Sequence, residues 1–243
     1  MKTKIISVLL GFMLMTVSLS SCSGDTSNTE PLPGYVDAST APITVNPTDL
    51  VLEDSSYTIL PSGYVLFTIC IKNENKNIKA DYANIKITGK KKDGSIDFSD
   101  DWTIGGIMPQ TTSYWASQAG DGTVDESDEI EISISVNKDD WVRTSDTIPD
   151  DLYVFNNISV TPDIVIKITG EITLKDDSLD SEFKNLYSPM LVCVLKDDDG
   201  KIVGGFNGFL NSELKSGEPY VFDIRSYSAF GDFAKAELYA NPW

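Results

Sequence analysis

Carboxylates and thiols are the reactive side chains this sequence offers. The chain of 243 residues carries 37 Asp and Glu against 19 Lys and Arg, for a formal charge of −18. Histidine is absent, which removes imidazole-dependent chemistry: Ser-His-Asp and Cys-His catalysis, and His-ligated zinc or haem. Paired carboxylates can hydrolyse glycosides without imidazole, so a carboxylate-dependent hydrolase is one reading. With 37 acids, however, some pair always falls close, and abundance is not spacing. The acidic runs at Asp121 to Glu129, Asp176-Asp177 and Asp197 to Asp199 do not match a calcium loop, which needs roughly six to eight converging oxygens. They read as solvated hairpin tips. There is no G-x-S-x-G, no phosphate-binding glycine loop and no metal-ligand cluster. No catalytic residue, metal ligand or cofactor is assigned. A pI near 4.2 argues against nucleic acid, whose binding rests on Lys and Arg at phosphates, and against direct electrostatic attraction to anionic lipid.

The thiol with a chemical context is Cys22. Lys2 and Lys4 precede an apolar run from Ile5 to Val17. A span needs about 20 apolar residues, so this run reads as the core of a signal peptide over residues 1–21. Leu19-Ser20-Ser21-Cys22 follows. It resembles the lipobox of bacterial lipoproteins, which implies acylation of Cys22 and a lipid anchor at the outside of the cytoplasmic membrane or at the outer membrane. Loss of residues 1–21 removes two Lys and no acid, leaving 17 − 37 = −20. Residues 22–43 are rich in Ser, Thr, Pro, Asn and Gly and read as a flexible tether.

Period-two alternation runs through the rest. Val65-Phe67-Ile69-Ile71 alternates with Leu66-Thr68-Cys70-Lys72, and Glu129 to Val136 sets acids and serines against Ile and Val. Ile164 to Ile168, Met190 to Leu195, Tyr220 to Ile224 and Ala236 to Tyr239 continue the style. Pro61-Ser62-Gly63, Asp93-Gly94, Asp199-Gly200 and Ser216-Gly217 supply turns. A short helical turn near Ser178 to Asn185 is the one departure. The fold class is all-β: two tandem Ig-like antiparallel sandwiches, at residues 44–143 and 150–243, joined by a Thr144–Pro149 linker. An ungapped offset of 106 superposes the two Asp-Gly turns and also Lys90, Ile96, Tyr114 and Glu131 on identical residues. Apolar register and turn placement carry the repeat more than identity does.

Cys193-Val194-Leu195-Lys196-Asp197-Asp198-Asp199-Gly200-Lys201-Ile202-Val203-Gly204 resembles the central hairpin of FxLYD-type domains. Leu214 to Phe222 resembles the turn and strand that follow it in that family. Cys193 stands where that pattern has Phe, and Lys196 where it has Tyr. The first copy keeps only the turn. The resemblance implies an Ig-like module in an exported lipoprotein and brings no catalytic residue.

Cys70 and Cys193 fall on non-equivalent strands and read as small strand residues with free thiols rather than a bridge. Carrying the register of Tyr220-Phe222-Ile224 back by 106 points Tyr114 and Ala116 inward and Trp115 outward. An outward Trp115 offers a flat apolar face to a sugar ring or protein partner, with Trp102 and Trp141 as further members. Partial burial under a loop is the competing reading. Trp243 is expected to cap the last strand. The sequence thus reads as a lipid-anchored, non-catalytic binding or interaction module of the cell envelope. Its partners would be the membrane through lipid and an envelope protein or polysaccharide, with Trp115 the candidate contact. A carbohydrate-binding surface protein is the narrower alternative.

Overall fold

Alternating side chains build thirteen strands among the described residues. The computed structural model describes residues 47–243 except 126–128, 146, 150, 178–185, 227, 229 and 243. Cys22, the expected signal peptide and tether, the helical turn expected near Ser178 to Asn185, and Trp243 therefore lie outside the described residues. The strands of the first half are β1 (Val51–Ile59), β2 (Val65–Lys72), β3 (Ile78–Lys90), β4 (Ile96–Ile107), β5 (Thr112–Ala119), β6 (Glu129–Ser135) and β7 (Trp141–Arg143). Those of the second half are β8 (Tyr153–Thr161), β9 (Lys167–Leu174), β10 (Met190–Lys196), β11 (Ile202–Phe209), β12 (Pro219–Arg225) and β13 (Lys235–Asn241). The described residues hold no α-helix, only a 3-10 turn at Lys138–Asp140, and no helix long and apolar enough to cross a membrane.

Four antiparallel sheets result, and the two halves share one pairing scheme. In the first half β1-β2-β5 form an inner sheet, and β4-β3-β6, with β7 beside β3, form an outer one. In the second half β11-β10-β13 form the inner sheet and β12-β9-β8 the outer one. Replacing β1 to β6 by β8 to β13 in order converts the first set into the second. Even the bulges correspond: β3 and β4 slip at Gly89/Lys90, and β10 and β11 slip at Leu195/Lys196, 106 residues later. Glycine at the four expected turns adopts the left-handed conformation, with φ of 76° at Gly63, 83° at Gly94, 82° at Gly200 and 75° at Gly217, where a side chain would be strained. Ile164 and Val165 depart from expectation. They lie in a bend before β9, with Ile164 78% exposed, because the Asp163 carboxylate accepts the Ile164 N–H at 2.7 Å and diverts the chain after Pro162.

Each half has its own buried cluster. The first gathers Phe67, Ile69, Ile71, Ile85 and Ile87 between its two sheets, and the second Ile168, Ile172, Leu191, Cys193 and Phe222. A third cluster joins the two inner sheets: Cys70 and Ala116 meet Met190, Val192, Val194 and Ile202. The layers therefore run outer, inner, inner, outer. Burying each Val or Met side chain here contributes about 1.5–3 kcal/mol. Polar groups seal the seam. Ile202 N–H donates to Asp54 Oδ2 at 2.9 Å, and Asn207 Nδ2 donates to the Ala116 carbonyl at 2.7 Å. Gly205 permits the close approach, since a Cβ there would stand 2.9 Å from Thr68 Oγ1 and 2.5 Å from the Cys193 carbonyl oxygen. The linker is packed as well: Thr144 N–H donates to the Asn77 carbonyl at 3.1 Å.

Trp115 requires a correction. It lies directly opposite Ile69, a residue of the first core, while Tyr114 and Ala116 lie opposite Cys70 and Thr68 on the other face of the sheet. Directly opposed residues share a face, so Trp115 turns toward the first core and is half-buried. In the second half Tyr220 lies opposite Ile172. Matching Ile69 with Ile172 makes Tyr220, not Val221, the counterpart of Trp115. The repeat is one residue shorter before β12 and regains it before β13. An ungapped offset carries β5 one residue out of step, and a one-residue slip moves every side chain to the opposite face.

Candidate functional site

A cleft of about 570 Å³ opens where the two halves meet, beside the ends of β5 and β13. Its floor comes from Tyr114 and Trp115 on β5 and from Tyr239 and Asn241 on β13. Tyr153 and Phe155 of β8 line it too, with Gly105, Gly106, Ile107 and Gln110. The linker residues Ile148 and Pro149 complete it.

Stacking and hydrogen bonds hold the lining rings in place. Tyr114 and Tyr239 stack across the seam with ring centroids 3.9 Å apart and planes at 23°. Asn241 Nδ2 donates to the Tyr114 carbonyl at 2.6 Å, tying β13 to β5 at the floor. Tyr153 O–H donates to the Leu186 carbonyl at 2.7 Å, which fixes its ring. Phe155 packs edge-on against Phe222 at 6.0 Å. Trp115 Nε1 is buried and finds no partner among the described residues, an uncompensated cost for an indole N–H.

The Gln110 corner is the most constrained part. Gln110 follows Pro109 and has φ of 55°, a left-handed conformation uncommon outside glycine and costing about 1 kcal/mol or more. A network rooted in the first core enforces it. Buried Asn73 donates from Nδ2 to the Ile78 and Ile107 carbonyls at 2.9 and 3.1 Å, and its Oδ1 accepts the Asn75 N–H at 3.0 Å. The Asn75 carbonyl then accepts Gln110 N–H at 3.1 Å, and Asn73 N–H donates to the Thr111 carbonyl at 3.0 Å. Thr111 Oγ1 closes the turn on the Met108 carbonyl at 2.8 Å. The Gln110 side chain itself is exposed.

The ionisable groups of the wall are tyrosines, and the charged pair Lys196 and Glu237 adjoins two of them. Burial pushes the Glu237 carboxyl up, but bonds from Lys196, Lys235 and Tyr239 outweigh this and bring it down to about 2. Lys196 reaches Glu237 at 2.6 Å and sits 5.6 Å above the Tyr114 ring. Burial pulls Lys196 down, but Glu237 and its neighbours prevail and raise it. Burial raises Tyr114 and Tyr239, and the hydrogen bond from Tyr239 to Glu237 at 2.6 Å adds to the latter. Burial alone raises Tyr153. Desolvation lifts the Cys70 thiol to about 11, with the Glu53 carboxylate 3.7 Å away adding to it, and lifts Cys193 to about 12. All these hydroxyls and thiols stay neutral near pH 7.

Of the candidate contacts named in the sequence, Trp115 alone lines the cleft, beside Tyr114, a residue expected to point inward. Trp102 packs 6.4 Å from Phe67 and Trp141 is buried in the first core, so neither joins it. Cys70 and Cys193 are free and buried in different clusters. Asp121 and Asp197 shape turns: Asp121 accepts Thr123 N–H at 3.0 Å, and Asp197 accepts Asp199 N–H at 3.0 Å. Among the described residues no group of three or more Cys, Asp or Glu side chains converges as a metal site. Gln110, Tyr153, Phe155 and Tyr239 escaped the sequence reading. The one signal was Pro109-Gln110, where a turn takes Gln at the position that favours glycine. Comparison with protein-family models and with curated proteins finds no match for this chain.

Proposed function

We propose that the chain is a lipid-anchored envelope protein whose two Ig-like halves form a non-catalytic binding module, with the cleft between them as its ligand site. The observation that carries this reading is the composition of the cleft wall. It combines aromatic and aliphatic side chains with amides and hydroxyls, and has no carboxylate, ammonium or guanidinium group. Its phenols are held neutral, so it lacks a proton carrier working near pH 7. Such a wall recognises rather than transforms. The Leu19-Ser20-Ser21-Cys22 run after an apolar segment supports export and anchoring. The hairpin of β10 and β11 that carries the FxLYD resemblance supports the Ig-like assignment.

Two measurements on producing cells test it. A photo-crosslinking amino acid at position 110 is expected to give one discrete adduct on intact cells, absent when the same residue replaces Asp198 on the far hairpin. Metabolic labelling with an alkyne fatty acid is expected to mark the wild type and not Cys22→Ala. An unlabelled wild type, or equal adducts from both positions, contradicts the reading.

A further inference from the structure

We propose that the cleft takes a neutral saccharide of about two rings. This rests on the binding-module reading and names the ligand class of the same site. The first argument is charge. Nearly a quarter of the chain is charged, at 23%, yet none of the 21 residues walling the cleft is Asp, Glu, Lys or Arg. An anionic ligand would meet a protein of net charge −18 with no cation in the wall to receive it, and Lys196 beside Tyr114 is already paired with Glu237. A cationic ligand would find no carboxylate in the wall. The ligand that fits is uncharged.

The second argument is the pairing of surfaces. Five of the lining residues are aromatic: Tyr114, Trp115, Tyr153, Phe155 and Tyr239. Aromatic faces carry negative quadrupole density, which favours the weakly positive C–H groups on the apolar face of a pyranose. Among these rings stand Gln110, Thr112 and Ser113, whose side chains make no hydrogen bond among the described residues and can serve a ring rich in hydroxyls. A fully apolar ligand would leave these groups without partners, which costs affinity. A volume of about 570 Å³ lies inside the range of about 300–1,000 Å³ typical of small-ligand sites. The strain at Gln110 fits the same assignment, since a left-handed glutamine persists where its surroundings over-determine it, as at binding sites.

The test uses the full chain, solubilised in a detergent without a sugar headgroup, with titration calorimetry and tryptophan fluorescence as readouts. The probes are cellobiose, maltose and N,N′-diacetylchitobiose, with digalacturonate as the anionic control and the peptide acetyl-Thr-Val-Thr-Val-amide as the non-sugar control. At least one neutral disaccharide is expected to bind saturably with Kd of about 1 mM or tighter and to change tryptophan emission. Trp115→Phe and Gln110→Gly are each expected to weaken it by roughly tenfold. Gln110→Gly keeps the turn and removes only the amide, so its urea midpoint does not fall and loss of binding is not loss of fold. Digalacturonate binding as tightly as the neutral sugars, or sugar binding that ignores both variants, overturns the assignment. Binding of the peptide with all three disaccharides silent overturns the saccharide class while leaving a binding cleft in place. Silence from every probe overturns both.

Discussion

The outward faces of β3 and β10 are built on one plan and meet opposite fates. Asn84, Lys86 and Thr88 of β3 stand opposite Ser135, Ser133 and Glu131 of β6. At an offset of 106, Met190, Val192 and Val194 of β10 stand opposite Asn241, Tyr239 and Glu237 of β13. Pairing and register agree, so backbone hydrogen bonding does not distinguish them. Lys86 is exposed and Val192 is fully buried. The neighbouring strands follow suit: Ser99 of β4 is exposed, and its counterpart Gly205 lies under Thr68. Ladder pairing makes each sheet, and the side chains on its far face decide whether another sheet can sit on it.

The joint has a further consequence. The β1-β2-β5 sheet of the first half packs on β11-β10-β13, the second half's counterpart of β4-β3-β6, so the contact is head to tail. Such a contact propagates unless its ends are blocked. Polar residues block both ends here, Lys86 with its neighbours on one outer sheet and Lys167, Glu171 and Asp223 on the other. The logic is that of a capped repeat array with two members.

The comparison breaks most readily at Val192. Val192→Lys buries an unpaired ammonium in the seam and is expected to cost about 3 kcal/mol or more. Lys86→Val, the reciprocal change on the outer sheet, is expected to stay within about 0.5 kcal/mol. Urea midpoints measure both. Next comes Gly205→Ala, which must displace Thr68 or the β10 backbone and is expected to cost about 1–3 kcal/mol. Ser99→Ala at the counterpart position is expected to be near neutral by the same assay.

pH sharpens the contrast from both sides. Cys70 is raised from its ordinary 9.0 to about 11 and Cys193 to about 12. Above pH 9 the unfolded chain loses these protons first, so melting temperature is expected to fall as pH rises from 9 toward 11. Serine at position 70 flattens part of that slope. Glu237 is lowered from 4.5 to about 2, so its contribution is complete above pH 4.5 and declines as pH falls toward 2. Glu237→Gln flattens the acid limb. The smallest effects are at single polar groups. Asn207→Ala leaves the Ala116 carbonyl without its donor and is expected to cost about 1 kcal/mol. Gln110→Gly relieves backbone strain and is expected to raise stability by up to about 1 kcal/mol.

Strand content and the Asp-Gly turns were legible because each depends on local chemistry: alternation for one, the left-handed preference of glycine for the other. Offset 106 places β3, β4 and β6 on β10, β11 and β13. It fails at β5, where the Tyr114–Tyr220 identity favoured a register that the sheet does not use. Cys70 shows why the seam was hidden. Its strand reads Val65 to Lys72 as apolar on both faces apart from Thr68 and Lys72, which marks a layer covered twice but does not name the cover. The cleft was illegible for the same reason, since its walls come from residues more than 80 positions apart, such as Trp115 and Tyr239. No spacing rule reaches across two halves.

The docking of the halves, on which the cleft depends, is read most directly by thiol labelling of the folded chain at pH 8 with peptide mapping of Cys70 and Cys193. Cys70 lies in the seam and Cys193 in the second core. Both are expected to resist alkylation in the wild type, and Val192→Lys is expected to expose Cys70 while Cys193 stays protected. Wild-type Cys70 reacting at the rate of a free cysteine contradicts the docked arrangement and removes the cleft with it.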